Sequence, residues 1–258
     1  MTVKQYKNFQ KKASPQHELE EMQKNIDSPR RIKDSKEIEL IEAAEHIGDM
    51  AFSHILDFIR PSVTEREVAL ELEFFMKKQG ASALSFTTIA ASGARSAMPH
   101  GTATDKVIER GDFLTLDFGC VYEGYCSDMT RTVVIGEASE RQREIYDVVL
   151  KAQAEAINAI KPGLTCSYID GIARKMISDA GYGKNFGHGL GHSVGVEIHE
   201  MPSLSPKCGD VIKEGHILTV EPGIYIDGFG GVRTEDLIAV ENGAARNLTK
   251  SSKELIII

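Results

Sequence analysis

Cysteine is scarce. Cys120, Cys126, Cys166 and Cys208 are the only four in 258 residues, and no two stand at C-x2-C spacing. That argues against a secreted disulfide scaffold and a thiolate zinc clip, and reads as free thiols in a reducing cytoplasm. Positive charge is also short. Thirty basic against 38 acidic side chains leave a formal charge of −8, so nucleic acid is not an expected partner. No window of 18 apolar residues exists, which excludes a membrane-spanning helix by pattern. The opening stretch MTVKQYKNFQKKASPQHELEE lacks the apolar core of a signal peptide, so the expected location is cytoplasmic.

What remains is a globular composition, 41% hydrophobic and 26% charged. A chain of this length buries roughly 70–75% of its unfolded surface, so its core is adequate without cross-links. Residues 1–30 are polar and read as a loose tail; 31–258 read as the folded domain. Ala44, Ile47, Ala51, Ile55 and Phe58 recur at helical spacing behind an Asp34/Glu37 capping box, and Pro61 ends that helix. Thr64 and Glu67 cap a second, with Val68, Leu72 and Phe75 inside and Gly80 at its end. Strands are expected over 84–92, 113–119 and 130–135, with a turn at Gly124. Helices follow at 138–160 and 167–180. The last third returns to strands in HILTVEPG, GIYI and GVRTEDLIAV.

Helices, strands, helices, strands is the order of a duplicated α+β unit. The nonapeptides GDFLTLDFG at 111–119 and GHILTVEPG at 215–223 support this, sharing Gly, Leu, Thr and Gly in register. Each places a carboxylate seventh, Asp117 and Glu221, and each is followed by another beside a strand, Asp128 and Glu235. Acids flanked by Leu116, Phe118 and Val220 are expected to be at least half buried, where a carboxylate must be protonated, paired or metal-bound. Arg131 and Arg233 are too few to neutralise four; two divalent ions balance them. His188, His192 and His199 stand in a glycine-rich stretch, and His100 in SAMPHGT is a fourth candidate. An oxygen-rich site with one imidazole suits manganese, cobalt, ferrous iron or zinc, and a close metal pair is a hydrolytic design. His17, His46, His54 and His216 have no supporting motif and read as structural or solvent-facing. Met98 and Met201 read as apolar packing.

These segments, PHGT, LDFG with YCSDMTRT, HGLGHSVGVEIHE, TVEPGIY and GVRTED, resemble in combination and order the pita-bread metallopeptidases, the family of methionine aminopeptidase, prolidase and aminopeptidase P. The resemblance runs from about Ile32 to Ile258. It implies an α+β pita-bread fold, two pseudo-symmetric halves around a curved antiparallel sheet, and a pair of divalent ions, foremost Mn2+. It implies Asp128 and Glu235 as bridging ligands, Asp117 on one metal, and His192 and Glu221 on the other. Glu221 is further implied as general base, with His100 and His199 as hydrogen-bond donors to the substrate carbonyl and oxyanion. His188 lines the substrate pocket, and Arg233 and Tyr225 support the site. The doubled His of HGLGH and the Arg of GVRTED look like aminopeptidase P; methionine aminopeptidases lack both. The implied activity is therefore an aminopeptidase cleaving before a proline in second position. A methionine aminopeptidase-like activity, an Xaa-Pro dipeptidase and a non-catalytic peptide-binding module are the alternatives, with a homo-oligomer possible. Proline peptidases of this family carry a further N-terminal domain, and RRIKDSKEIELIEAAE resembles its junction.

Overall fold

A computed structural model describes residues 2–13, 17 and 27–258. Within the segment read as a loose tail, Val3–Lys12 forms a helix (α1) closed by a Thr2/Gln5 capping box, with none of its residues buried. Local capping suffices to organise it without a core contact. Most of residues 14–26 lie outside the described residues.

The two capping boxes of the first half are both formed. Asp34 opens α2 (Ser35–Phe58) and Thr64 opens α3 (Glu65–Lys78). Phe58 and Phe75, expected inside, are only half-buried; Phe52 and Met76 fill the core instead. The strand expected over 84–92 is two short ones, β1 (Ala83–Leu84) and β2 (Ile89–Ser92), which join different sheets. β3 (Phe113–Phe118) runs between β2 and β6 (Met129–Val134), antiparallel to both. β4 (Cys120–Tyr122) and β5 (Tyr125–Cys126) form the intervening hairpin. Its two-residue loop has Glu123 and Gly124 at φ 48° and 87°, the double positive φ that a tight turn between right-twisted strands demands.

The second half repeats the plan. α4 (Glu140–Ala159) and α5 (Cys166–Asp179) match the expected helices within two residues. β7 (Gly191–Ser193) pairs with β8 (Glu200–Leu204). β9 (Ile217–Val220) pairs with β12 (Asp236–Glu241), which also pairs with β13 (Ala244–Asn247). β10 (Gly223–Ile226) pairs with β11 (Gly230–Arg233). The nonapeptide repeat thus falls on equivalent strands, β3 and β9. Pleating does the same work in each. Leu114, Leu116 and Phe118 face the α2–α3 core, leaving Asp117 on the other face. Leu218 and Val220 face the α4–α5 core, leaving Thr219 and Glu221 opposite.

GVRTEDLIAV is not one strand. Rungs Val220↔Asp236 and Gly223↔Arg233 keep a single register, but the two rungs between them are missing. At that gap Glu221 donates its N–H to Leu190 O at 2.8 Å, and Glu235 donates to Thr130 O at 3.1 Å. The ladder opens where the two acids sit, and their backbones tie instead to Leu190, just before β7, and to β6.

The halves are joined by Arg131, which is fully buried. It pairs with Asp236 at 2.9 Å and donates to the carbonyls of Thr130, Glu235, Ser251 and Ser252. Removing one member of such a pair strands the other charge. Arg131→Met is expected to destabilise the fold by about 3–5 kcal/mol, read as a lowered urea midpoint; a shift within error would show that Lys253 and Asn247, which donate to Asp236 at 2.6 and 2.8 Å, suffice to hold it.

Candidate metal centre

Asp117, Asp128, His192, Glu221 and Glu235 all line one cavity of about 510 Å3, together with His100, His188, His199 and Arg233. Three of them converge tightly. One donor atom each from Asp128, His192 and Glu235 lie within 4.8 Å of one another. Asp117 and Glu221 border that cluster without joining it. Of the expected site residues, Tyr225 alone is off the wall; its hydroxyl lies behind, bonded to His188 and Arg233 at 2.8 Å each.

Each side chain is aimed by local structure. His192 Nε2 lies 3.4 Å from an Asp128 oxygen and 3.5 Å from Glu221. Its Nδ1 is 3.1 Å from the Ser193 carbonyl, which fixes the proton on Nδ1 and leaves Nε2 a lone pair facing the acids. Gly191 permits this approach, since a Cβ there would lie 2.0 Å from Thr219 O. Thr219 accepts from the His192 N–H at 3.0 Å and donates to Glu221 Oε1 at 3.1 Å, coupling the two. Thr130 donates to Glu235 Oε2 at 2.6 Å. Arg233 donates to Asp117, and also reaches Thr130 Oγ1 at 3.1 Å and Pro99 O at 3.2 Å.

His188 Nδ1 faces the Gly189 carbonyl at 2.8 Å, so Nε2 accepts the Tyr225 hydroxyl while the phenol oxygen accepts from Arg233. Burial lowers His188 and His192 to about 4, keeping both neutral at physiological pH. His100 and His199 are exposed to the cavity mouth, and the His199 ring stands edge-on to His192 with centroids 4.4 Å apart.

The acids cannot all be charged unaided. Burial, then repulsion from neighbouring carboxylates, holds Asp128 and Glu235 well above the usual carboxylate range. Burial pushes Glu221 up to about 7 and raises Asp117 despite its arginine. Asp117 Oδ1 and Glu235 Oε1 are buried with no hydrogen-bond partner. Orphaned anionic oxygens beside an imidazole lone pair are the donor set of a hard divalent cation, so these residues fit a metal.

Four further residues of the site have no part in the sequence reading: Thr130, Thr219, Glu45 and Lys33. Glu45 is wholly buried in α2, accepting from the Asp128 N–H at 3.1 Å and from Thr249 at 2.6 Å. Its signal was present, since it occupies the apolar face that Ile38, Ile41 and Phe52 share. His216, without a motif, is buried, and His54 pairs with Glu71 at 2.6 Å. Met98 and Met201 are about half exposed rather than packed, at 54% and 46%.

A duplicated α+β fold closing on a carboxylate-rich, imidazole-bearing cavity defines a hydrolytic metalloenzyme. The family model "Metallopeptidase family M24" matches residues 39–242, and the chain belongs to that family. It is similar to an Xaa-Pro dipeptidase of Pyrococcus furiosus, 48% identical over 249 residues, which cover 96% of this chain and 71% of the relative. Among solved structures it is similar to an Xaa-Pro dipeptidase from Bacillus anthracis, with TM-score 0.96 and 50% identity over 100% of this chain and 72% of that one. It is also similar to an X-Pro aminopeptidase from Thermotoga maritima, with TM-score 0.89 and 43% identity over 91% and 66%. The fold is thus the pita-bread fold, and the protein is a metallo-exopeptidase. Among the described residues no helix is long and apolar enough to cross a membrane, and all four cysteines are free.

Carboxyl groups with raised native pKa bind protons more tightly when folded, so the metal-free protein loses stability as pH rises through them. The lowered histidines act in the opposite sense, but only below their ordinary 6.5. Between pH 6.5 and about 8 the melting temperature of chelated protein should therefore fall, and Mn2+ should stabilise more at the upper end. Thermal melts with and without Mn2+ check this; a flat profile would contradict a cluster of buried like charges.

Proposed function

We propose that this protein is a dinuclear, Mn2+-dependent Xaa-Pro dipeptidase. The observation that carries the reading is the convergence of Asp128, His192 and Glu235 within 4.8 Å, in a cavity that also holds Asp117, Glu221 and the neutral His188. The aminopeptidase preference drawn from HGLGH and GVRTED is less well supported than the dipeptidase alternative. The likeness to dipeptidases stands at 48–50% identity, against 43% for the X-Pro aminopeptidase.

Asp117, Asp128, His192, Glu221 and Glu235 would hold the two ions, which when bound would lower the pKa of the attacking water and polarise the scissile carbonyl. The protein's own groups supply the rest. Glu221 Oε1 is occupied by Thr219, leaving Oε2 free to take the proton of the attacking water and return it to the departing proline nitrogen. His199 and His100, at the mouth, donate to the substrate carbonyl and to the oxyanion that develops from it. His188 is held neutral by burial and oriented by Tyr225, so it presents an uncharged face to the substrate's side chain. Arg233 spans Asp117, Thr130 and Tyr225 and fixes the wall against which these groups are set.

After chelation, Mn2+ should restore cleavage of Xaa-Pro dipeptides, with kcat/KM about tenfold above that for matched Xaa-Pro tripeptides, a difference of about 1.4 kcal/mol. Preference for tripeptides would return the assignment to an aminopeptidase; cleavage of Met-Ala alone would make it methionine aminopeptidase-like. Glu221→Gln should lower kcat by about 10²–10⁴ while the protein remains folded. Asp128→Asn should abolish turnover and reduce Mn2+ stoichiometry by calorimetry; an active Asp128→Asn enzyme would refute the bridging assignment.

A further inference from the structure

Lys33 precedes α2 and has no place in the chemistry above, yet its side chain is 2% exposed. Few lysines are buried so fully without a specific partner. Its Nζ donates to Glu200 at 2.9 Å and to Ser193 Oγ at 3.1 Å, and its backbone N–H donates to Gly215 O at 2.8 Å. The choice of partners is informative. Ser193 directly follows His192, and Glu200 directly follows His199. Ser193 also supplies the carbonyl that holds His192 Nδ1. The second oxygen of Glu200 accepts the Glu197 N–H at 3.2 Å, which closes the loop between the two histidines. One ammonium therefore grips the chain immediately beyond each ring, at the base of the loop that sets their 4.4 Å edge-on contact. The register of β7 against β8 shifts between His192 and Ser193, so strand pairing alone does not fix this spacing.

We propose that Lys33 is a positioning residue, holding His192 and His199 in mutual register through Ser193 and Glu200 so that one ring meets the metal while the other faces the substrate. This rests on the ligand assignment of His192 and on the peptidase reading. Residues that orient metal ligands from behind typically carry about 10–100-fold in metal affinity or activity.

Lys33→Met leaves Glu200 buried and unpaired, so this variant can lose activity merely by failing to fold. The paired variant Lys33→Met/Glu200→Met separates the cases, because replacing both members of a buried ion pair by apolar groups restores stability without restoring the grip on Ser193. Three readouts are taken on the full chain: melting temperature, Mn2+ affinity by calorimetry, and kcat/KM on an Xaa-Pro dipeptide. The expected result is a paired variant that melts near the parent but binds Mn2+ about 10–100-fold more weakly, with kcat reduced rather than KM alone raised. In a His199→Ala background the same substitutions should cost less in turnover, because one of the two rings they position is gone. Mn2+ affinity and kcat that return to parental values along with the melting temperature would overturn the proposal, reducing Lys33 to a structural ion pair. An unaltered enzyme that fails to cleave Xaa-Pro dipeptides would sink the peptidase reading instead; the Mn2+ titration would still decide the role of Lys33.

Discussion

Four carboxylates and one guanidinium share the wall of a single cavity, and the remainder of the molecule is arranged around that imbalance. Coulomb repulsion among buried anions is strong because little water screens it. Arg233 satisfies one oxygen of Asp117, and the hydroxyls of Thr130 and Thr219 satisfy one oxygen each of Glu235 and Glu221. The unpartnered oxygens of Asp117 and Glu235 are what those donors leave over. A fold that keeps such a cluster is organised to hold cations rather than to minimise its own energy.

The duplicated halves make the cluster possible. Each half has its own helix pair packed on its own three-stranded sheet, so each strand bearing an acid has one face committed to a core. Pleating then turns Asp117 and Glu221 to the other face. Convergence needs the halves to be locked together, and Arg131 does this from the buried side. It binds the carbonyls of Thr130 and Glu235 and the carboxylate of Asp236 at once. Where Glu221 and Glu235 oppose each other the β-ladder lets go, and their N–H groups bond to Leu190 and Thr130. Loss of two rungs releases the backbone to splay these acids inward.

Around the cavity's acids and imidazoles lies a tier of fixed orientation. His192 is aimed by the Ser193 carbonyl, His188 by Gly189 and Tyr225, and Asp128 by the carboxylate of Glu45 beneath its N–H. The glycine-rich loop is gripped from α5, where Arg174 binds the Phe186 and His188 carbonyls while its partner Asp170 accepts the Leu190 N–H. The cavity-lining groups therefore sit on a frame whose own freedom has already been removed, the condition under which small displacements matter to rate.

Local rules were legible in the amino-acid sequence. Capping boxes at Asp34 and Thr64 follow from side chains bonding to near neighbours, the turn at Gly124 from the positive φ that glycine permits, and the two later helices from local pattern; all form where the sequence places them. The repeat of GDFLTLDFG in GHILTVEPG exposed the duplication and its acids, and motif order exposed the family. Other features depended on partners far along the chain. The break in GVRTEDLIAV arises because Thr130, about a hundred residues away, takes the Glu235 N–H. The split of 84–92 reflects two different sheets competing for one segment. Lys33 looks like a surface charge in sequence, and Glu45 shows only that it shares an apolar helix face; their partners, Glu200 and Ser193 for one and Thr249 and the Asp128 N–H for the other, lie about 80 to 200 residues away. Periodicity encodes which face a residue takes; which distant groups meet that face is settled only when the halves pack.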